Sequence, residues 1–174
     1  MPKVIENARE LIIEETMRQI TENGYDATTV RSVAKACGMA VGTVYNYYPS
    51  KDIMIASVVM DKWERFMDSV REKITHTITV ESVFRVIYTD CSSFIRDLKP
   101  LFSDTDALSA YAITHAVEHH KARRDLADLI LPGLAALKTE NQDFTALYIA
   151  ESILGFAIED VPFESVWSIV HRLL

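Results

Sequence analysis

Glycine and proline are scarce in this chain, five of each in 174 residues. That scarcity argues against a loop-dominated or low-complexity polymer. Cysteine is scarcer still. Cys37 and Cys91 lie 54 positions apart, outside any metal-type or redox-type spacing, so both read as small buried hydrophobes. No charged leader followed by a short apolar stretch opens the chain, which makes a reducing cytoplasm the expected compartment. Membrane-length apolar runs are missing too. The best candidate, Phe144 to Ile158, has fifteen residues and contains Glu151, short of the ~20 that a spanning helix needs. An excess of positive charge is also lacking, since the formal net charge is -7. Residues 1–52 carry 6 Lys/Arg against 7 Asp/Glu, and the remainder 12 against 18. Any affinity for nucleic acid must therefore come from local geometry rather than from bulk charge.

What is present is ordinary globular material, 49% hydrophobic and 25% charged, in a chain long enough to bury about 70% of its unfolded surface. The apolar positions recur at helical spacing almost throughout. Val4, Ala8, Leu11, Ile12, Thr16 and Ile20 make one stripe, which Asn23-Gly24 stops. Thr28 or Thr29 caps a short second helix bearing Val30, Val33, Ala34 and Cys37, ended by Gly38. A third short helix follows at once. Pro49 interrupts it, and Ser50 caps a long fourth helix reaching about Lys73.

Beyond "THTIT", Val83, Phe84, Ile87, Cys91, Phe94, Ile95 and Leu98 mark a helix over residues 80–98. The next helix runs from about 106 to 131 and is closed by Pro132-Gly133, with 134–138 either a loop or one or two helical turns. Residues 143–159, capped by Asp143, are apolar on nearly every face, so that helix must be covered on two sides. Pro162 starts a last helix. No run of period-two alternation is found, and the class is all-α.

The second helix, the turn at Gly38 and the third helix have the pattern of a helix-turn-helix, whose second helix enters the DNA major groove. The segment "TTVRSVAKACGMAVGTVYNYYPSKD" resembles the DNA-binding segment of the TetR family of bacterial transcriptional regulators. Its carriers are Thr28-Thr29, Val33-Ala34, Gly38, the run Gly42-Thr43-Val44-Tyr45, Tyr47-Tyr48 and Pro49-Ser50-Lys51.

Each candidate contact has a chemical reason. Gly42 lets backbone approach DNA, and Thr43 bonds a phosphate or meets a thymine methyl. Tyr45 and Tyr47 donate to phosphates, as does Lys51 beside the first turn of the fourth helix. Arg31 suits a guanine edge, and Val41 offers apolar readout. Thr28 and Thr29 complete the set of expected DNA contacts. Val44 and Tyr48, four apart, face inward. Family members often have Ser or Thr where this chain has Ala40, which costs the third helix a cap of about 1 kcal/mol.

The resemblance implies an N-terminal three-helix helix-turn-helix domain over residues 1–50 and a C-terminal helical bundle over residues 51–174 that dimerises and takes a small-molecule effector. Trp63, Met67, Phe84, Tyr88, Tyr111 and His115 are candidates for an effector pocket, though aromatic and Met stripes at helical spacing more often simply pack. The last two helices expose more apolar surface than one small bundle covers. Leu147, Ile153, Leu154, Phe163, Val166, Trp167 and Val170 are the candidate dimer residues. A two-fold dimer implies a near-palindromic operator with half-sites about 34 Å apart, or a multiple of that.

Two rivals remain open at this stage. "HAVEH", His115 to His119, matches the H-x-x-E-H form of a zinc hydrolase built on His115, Glu118 and His119, although no third ligand is identifiable. A helical adaptor that keeps the motif without touching DNA is the other. No enzymatic activity, resident metal or cofactor is expected.

Overall fold

A computed structural model of the chain describes residues 7–76, 79–98, 105–138, 140–172 and 174, and their side chains apart from those of 105–118. Among the described residues every regular element is a helix: α1 (Ala8–Ala27), α2 (Val30–Ala36), α3 (Val41–Tyr47), α4 (Lys51–Thr75), α5 (Val80–Leu98), α6 (Thr105–Leu137), α7 (Gln142–Ile158) and α8 (Phe163–Val170). The all-α reading is what the backbone displays. None of these helices is long and apolar enough to cross a membrane.

Two expectations about helix ends need correction. Gly24 does break α1, at φ 83 and ψ 171, a backbone state that costs glycine least. The chain nevertheless resumes a helical path to Ala27. Pro132 does not close α6, which continues through it to Leu137. Proline removes one hydrogen bond and crowds the preceding turn. Here Leu134, fully buried in the core, and its neighbours Leu129 and Ile130 hold the last turns in place by packing.

The chain divides into two compact units, Met1–Lys62 with Leu98–Thr114, and Trp63–Asp97 with His115–Leu174. The division falls inside α4 rather than at residue 50. Met54 and Val58 belong to one core, whereas Trp63, Phe66, Met67 and Val70 belong to the other.

The first core gathers Ala8, Ile12 and Ile13 from α1, Val30, Val33 and Ala34 from α2, Met39 from the turn, Val44 and Tyr48 from α3 and its end, and Met54 and Val58 from α4. In the second, Phe84, Ile87, Tyr88 and Cys91 from α5 meet Leu126, Ile130 and Leu134 from α6 and Ile149, Ile153 and Ala157 from α7. Burial pushes the Cys91 thiol up to about 12, so it is protonated and inert at neutral pH. The Trp63 indole donates to Asp125 Oδ2 at 2.7 Å, and Lys121 reaches the same carboxylate at 2.8 Å.

Candidate nucleic-acid interface

The start of α2 is fixed by a reciprocal cap. Thr29 Oγ1 accepts from Ser32 N at 3.0 Å, and Ser32 Oγ accepts from Thr29 N at 2.9 Å, which satisfies two donors that a helix start otherwise leaves bare. Ser32 Oγ in turn donates to Gln19 Oε1 at 2.6 Å, and Gln19 donates to Glu15 at 2.7 Å. The cap is thereby tied to α1. A hydrogen bond from the Arg18 guanidinium holds the Glu15 carboxyl below its ordinary range, so this end of the network stays ionised.

Thr28 departs from expectation. Its side chain is fully buried and donates to the Gly24 carbonyl at 2.9 Å, a packing role that leaves Thr29 as the exposed member of the pair. On α2, Arg31 is exposed, and so is Lys35 one turn later, which the sequence reading did not single out.

The turn between α2 and α3 depends on Gly38 at φ 65, a conformation that a side chain would strain. Met39 N bonds back to Ala34 O at 2.9 Å, satisfying a carbonyl at the end of α2. Ala40 stands at the cap of α3 with no side-chain bond. Val44, fully buried, anchors the first turn of α3 instead, and Tyr48, 2% exposed, anchors its C-terminal end. Burial raises the Tyr48 phenol above its ordinary range, against the pull of the nearby Arg9 guanidinium, so the anchor is neutral.

These two anchors decide what α3 turns outward. Gly42, Tyr45, Asn46 and Tyr47 are exposed, and Thr43 is half-buried. Val41, expected to read bases, is half-buried against the first core, which makes it more a buttress than a reader. Asn46 was overlooked. It lies four residues after Gly42, hence on the same helix face, and that spacing was available in the sequence. A Cβ added at Gly42 would meet nothing within 4 Å, so nothing inside the protein demands a glycine there.

At the start of α4, Ser50 Oγ accepts from Ile53 N at 3.2 Å. Lys51 Nζ lies 3.8 Å above the Tyr25 ring centroid and donates to the Tyr25 carbonyl at 2.6 Å. Its ammonium is therefore held against Tyr25.

The other sequence candidates divide among the second core, one cleft, and side chains outside the described residues. Trp63, Met67, Phe84 and Tyr88 are buried members of the second core, while the side chains of Tyr111 and His115 lie outside the described residues. Of the candidate dimer residues, Ile153, Leu154, Phe163, Val166 and Val170 are at most 9% exposed, and Leu147 and Trp167 are half-buried against the same core. They face inward because they supply the second core. Phe84, Tyr88, Ile153, Phe163, Val166, Trp167 and Val170 together line one cleft of about 200 Å³, open solvent included. Residues assigned to two separate roles thus share a single crevice. The large apolar side chains left exposed on α7 and α8 are Phe144, Tyr148, Phe156, Ile158 and Ile169.

Of the H-x-x-E-H segment, only His119 has a described side chain, and its Nε2 lies 3.0 Å from Glu151. Among the described residues no cluster of His, Cys, Asp or Glu could hold a metal ion.

Residues 12–58, from α1 into α4, match the family of bacterial regulatory proteins called tetR. Over those residues the chain is similar to the TetR family. The chain is 30% identical over 76 residues to the fatty acid metabolism regulator protein of Bacillus subtilis, a match covering 44% of this chain and 39% of that one. The chain thus spans about two fifths of that relative's length.

The fold extends further than the sequence likeness. A TetR-family transcriptional regulator from Streptomyces coelicolor superposes with a TM-score of 0.68 at 20% identity, covering 95% of this chain and 99% of the other. The Bacillus subtilis regulator FadR, solved in complex with stearoyl-CoA, gives a TM-score of 0.59 at 18% identity over 94% and 96%.

Proposed function

We propose that the protein is a cytoplasmic, homodimeric repressor that binds a near-palindromic operator through α3 and releases it when a small-molecule effector enters the second unit. The observation that carries this reading is the outward face of α3. There, exposed Gly42, Tyr45, Asn46 and Tyr47 are presented by an inward pair, Val44 and Tyr48, on a segment that matches a regulator family. Phosphates fall to Thr29, Thr43, Tyr45, Tyr47 and Lys51, and base edges to Arg31 and Asn46. A helical adaptor has no need of two exposed tyrosines beside an exposed glycine.

The dimer rests on α7 and α8, but on their outer residues. Phe144, Tyr148, Glu151, Gly155 and Ile158 are all exposed and follow spacings of four, three, four and three, the repeat of a seam between packed helices. A second copy of the chain related by a two-fold axis covers this seam with its own. The two α3 helices then meet half-sites about 34 Å apart or a multiple of that.

For the effector, the regulator solved with stearoyl-CoA makes a long-chain acyl thioester the first class to try. The enclosed space of that cleft, about 10 Å³, is far smaller than the ~300–1,000 Å³ of ordinary ligand pockets. Entry of such a chain therefore requires Phe163 and Trp167 to part. To weaken DNA binding 100-fold the effector must favour the incompetent state by about 2.7 kcal/mol.

The test is selection of bound duplexes from a random pool using the full chain. A two-fold-symmetric site is the expected product, and recovery of no preferred sequence refutes the reading. Repeating the selection with Asn46→Ala is expected to erase preference for adenine at one position of each half-site, worth about 1–3 kcal/mol. An unchanged preference removes Asn46 from the base contacts.

A further inference from the structure

Several helical cations of this chain are matched by an acid one turn away. Arg18 pairs with Glu15 and Glu22, Arg71 with Asp68, Arg85 with Glu81 and Lys121 with Asp125, each along its own helix. On α2 the pattern is reversed. Arg31 and Lys35 stand four residues apart, both exposed, and among the described residues neither side chain has an acidic partner. From Ala27 to Lys51 the chain contains no Asp or Glu, although it carries 25 of them in all. Like charges at this spacing cost a helix about 0.2–0.5 kcal/mol, roughly what an opposite pair would contribute.

Lys35 has one use inside the protein. It lies in the last turn of α2, where a cation meets the negative end of the helix. That use does not extend to Arg31, which sits in the first turn, at the positive end. Two like charges on one exposed face, inside a segment cleared of acid, suit a polyanion outside the protein. The first helix of a helix-turn-helix crosses the DNA backbone while the second enters the groove. Resting on the DNA-binding reading above, we propose that Lys35 is a sequence-blind phosphate contact, holding the strand beside the groove while Arg31 reaches a base edge. An α-helix rises 1.5 Å per residue, so the two residues stand about 6 Å apart along the axis and can take different groups. The ammonium is a point charge without a fixed fork, which fits it to a phosphate better than to a base.

The experiment measures the affinity of the full chain for its selected operator and for an unrelated duplex of equal length, between 50 and 200 mM salt. Wild type, Lys35→Gln and Lys35→Arg are compared, each with its melting temperature. Lys35→Gln is expected to weaken both duplexes about fivefold at 50 mM and to lower the salt slope by about 0.9 per bound chain. The gap to wild type should then narrow about 3.5-fold by 200 mM. Lys35→Arg, which keeps the charge, is expected to stay within about twofold of wild type with the slope unchanged.

A wild-type slope in Lys35→Gln overturns the proposal, and a lower melting temperature beside it assigns Lys35 to the helix end alone. A loss confined to the selected operator also overturns it, since that marks a base reader. Selection of no sequence removes the operator reading only, because the unrelated duplex still reads the slope. Failure of the wild type to bind any duplex removes both.

Discussion

Phe144→Asp combined with Ile158→Asp is expected to turn the protein into a monomer in sedimentation and to weaken binding to a two-half-site operator about 100-fold or more. The size follows from bivalency. When both half-sites must be held, joining two reading heads raises affinity by factors of 10²–10⁴ without any new contact. The choice of residues follows from exposure. Phe144 is 72% exposed and Ile158 54%, so neither supports its own subunit's core, and a charge at either leaves the fold intact. Two aspartates facing their symmetry mates across a two-fold seam would be buried against like charge, which costs more than the lost apolar contact. A dimer that survives both changes, with operator affinity intact, places the interface elsewhere.

Tyr48→Ala has the second large effect, by a different route. Tyr48 is 2% exposed and among the largest fully buried side chains, and truncation of a buried aromatic costs about 3–5 kcal/mol. Among the described residues it belongs to a cluster of eleven buried residues, and a domain as a whole has only about 5–15 kcal/mol to lose. Operator binding is expected to vanish, with fast hydrogen exchange through α1, α2 and α3. Leu126, Ile149 and their neighbours pack in a separate cluster, so the amides of α7 should stay protected. Binding retained within about tenfold would show that α3 does not depend on this anchor.

Much of this was legible in the sequence, and the reasons differ from element to element. Val44 and Tyr48 could be assigned inward because they are four apart on a helix too short to have more than one buried face. The turn at Gly38 could be read because its conformation almost demands glycine. The outer and inner faces of α7 could not be told apart, since a helix that is apolar nearly all round has no preferred side in its own pattern. The candidate dimer residues were accordingly drawn from the inward face. Thr28 and Thr29 are chemically equivalent as caps; what separates them is the bond from Thr28 to Gly24, a tertiary fact. Pro132 misled for a related reason, because a local penalty was outweighed by the burial of Leu134. Asn46 was missed among large aromatic neighbours, although its spacing from Gly42 placed it on the exposed face of α3.

Gly42 brings a conflict for anyone trying to engineer this protein. It sits in a helix with nothing within 4 Å of where a methyl group would go, and alanine in such a place is worth up to about 1 kcal/mol of helix stability. A screen that ranks variants by melting temperature alone should therefore promote Gly42→Ala. On the proposed reading the same methyl group would stand between the α3 backbone and the duplex, so the winner of that screen should grip its operator less well than the parent. Heat resistance and operator affinity, measured side by side on this one variant, are expected to move in opposite directions.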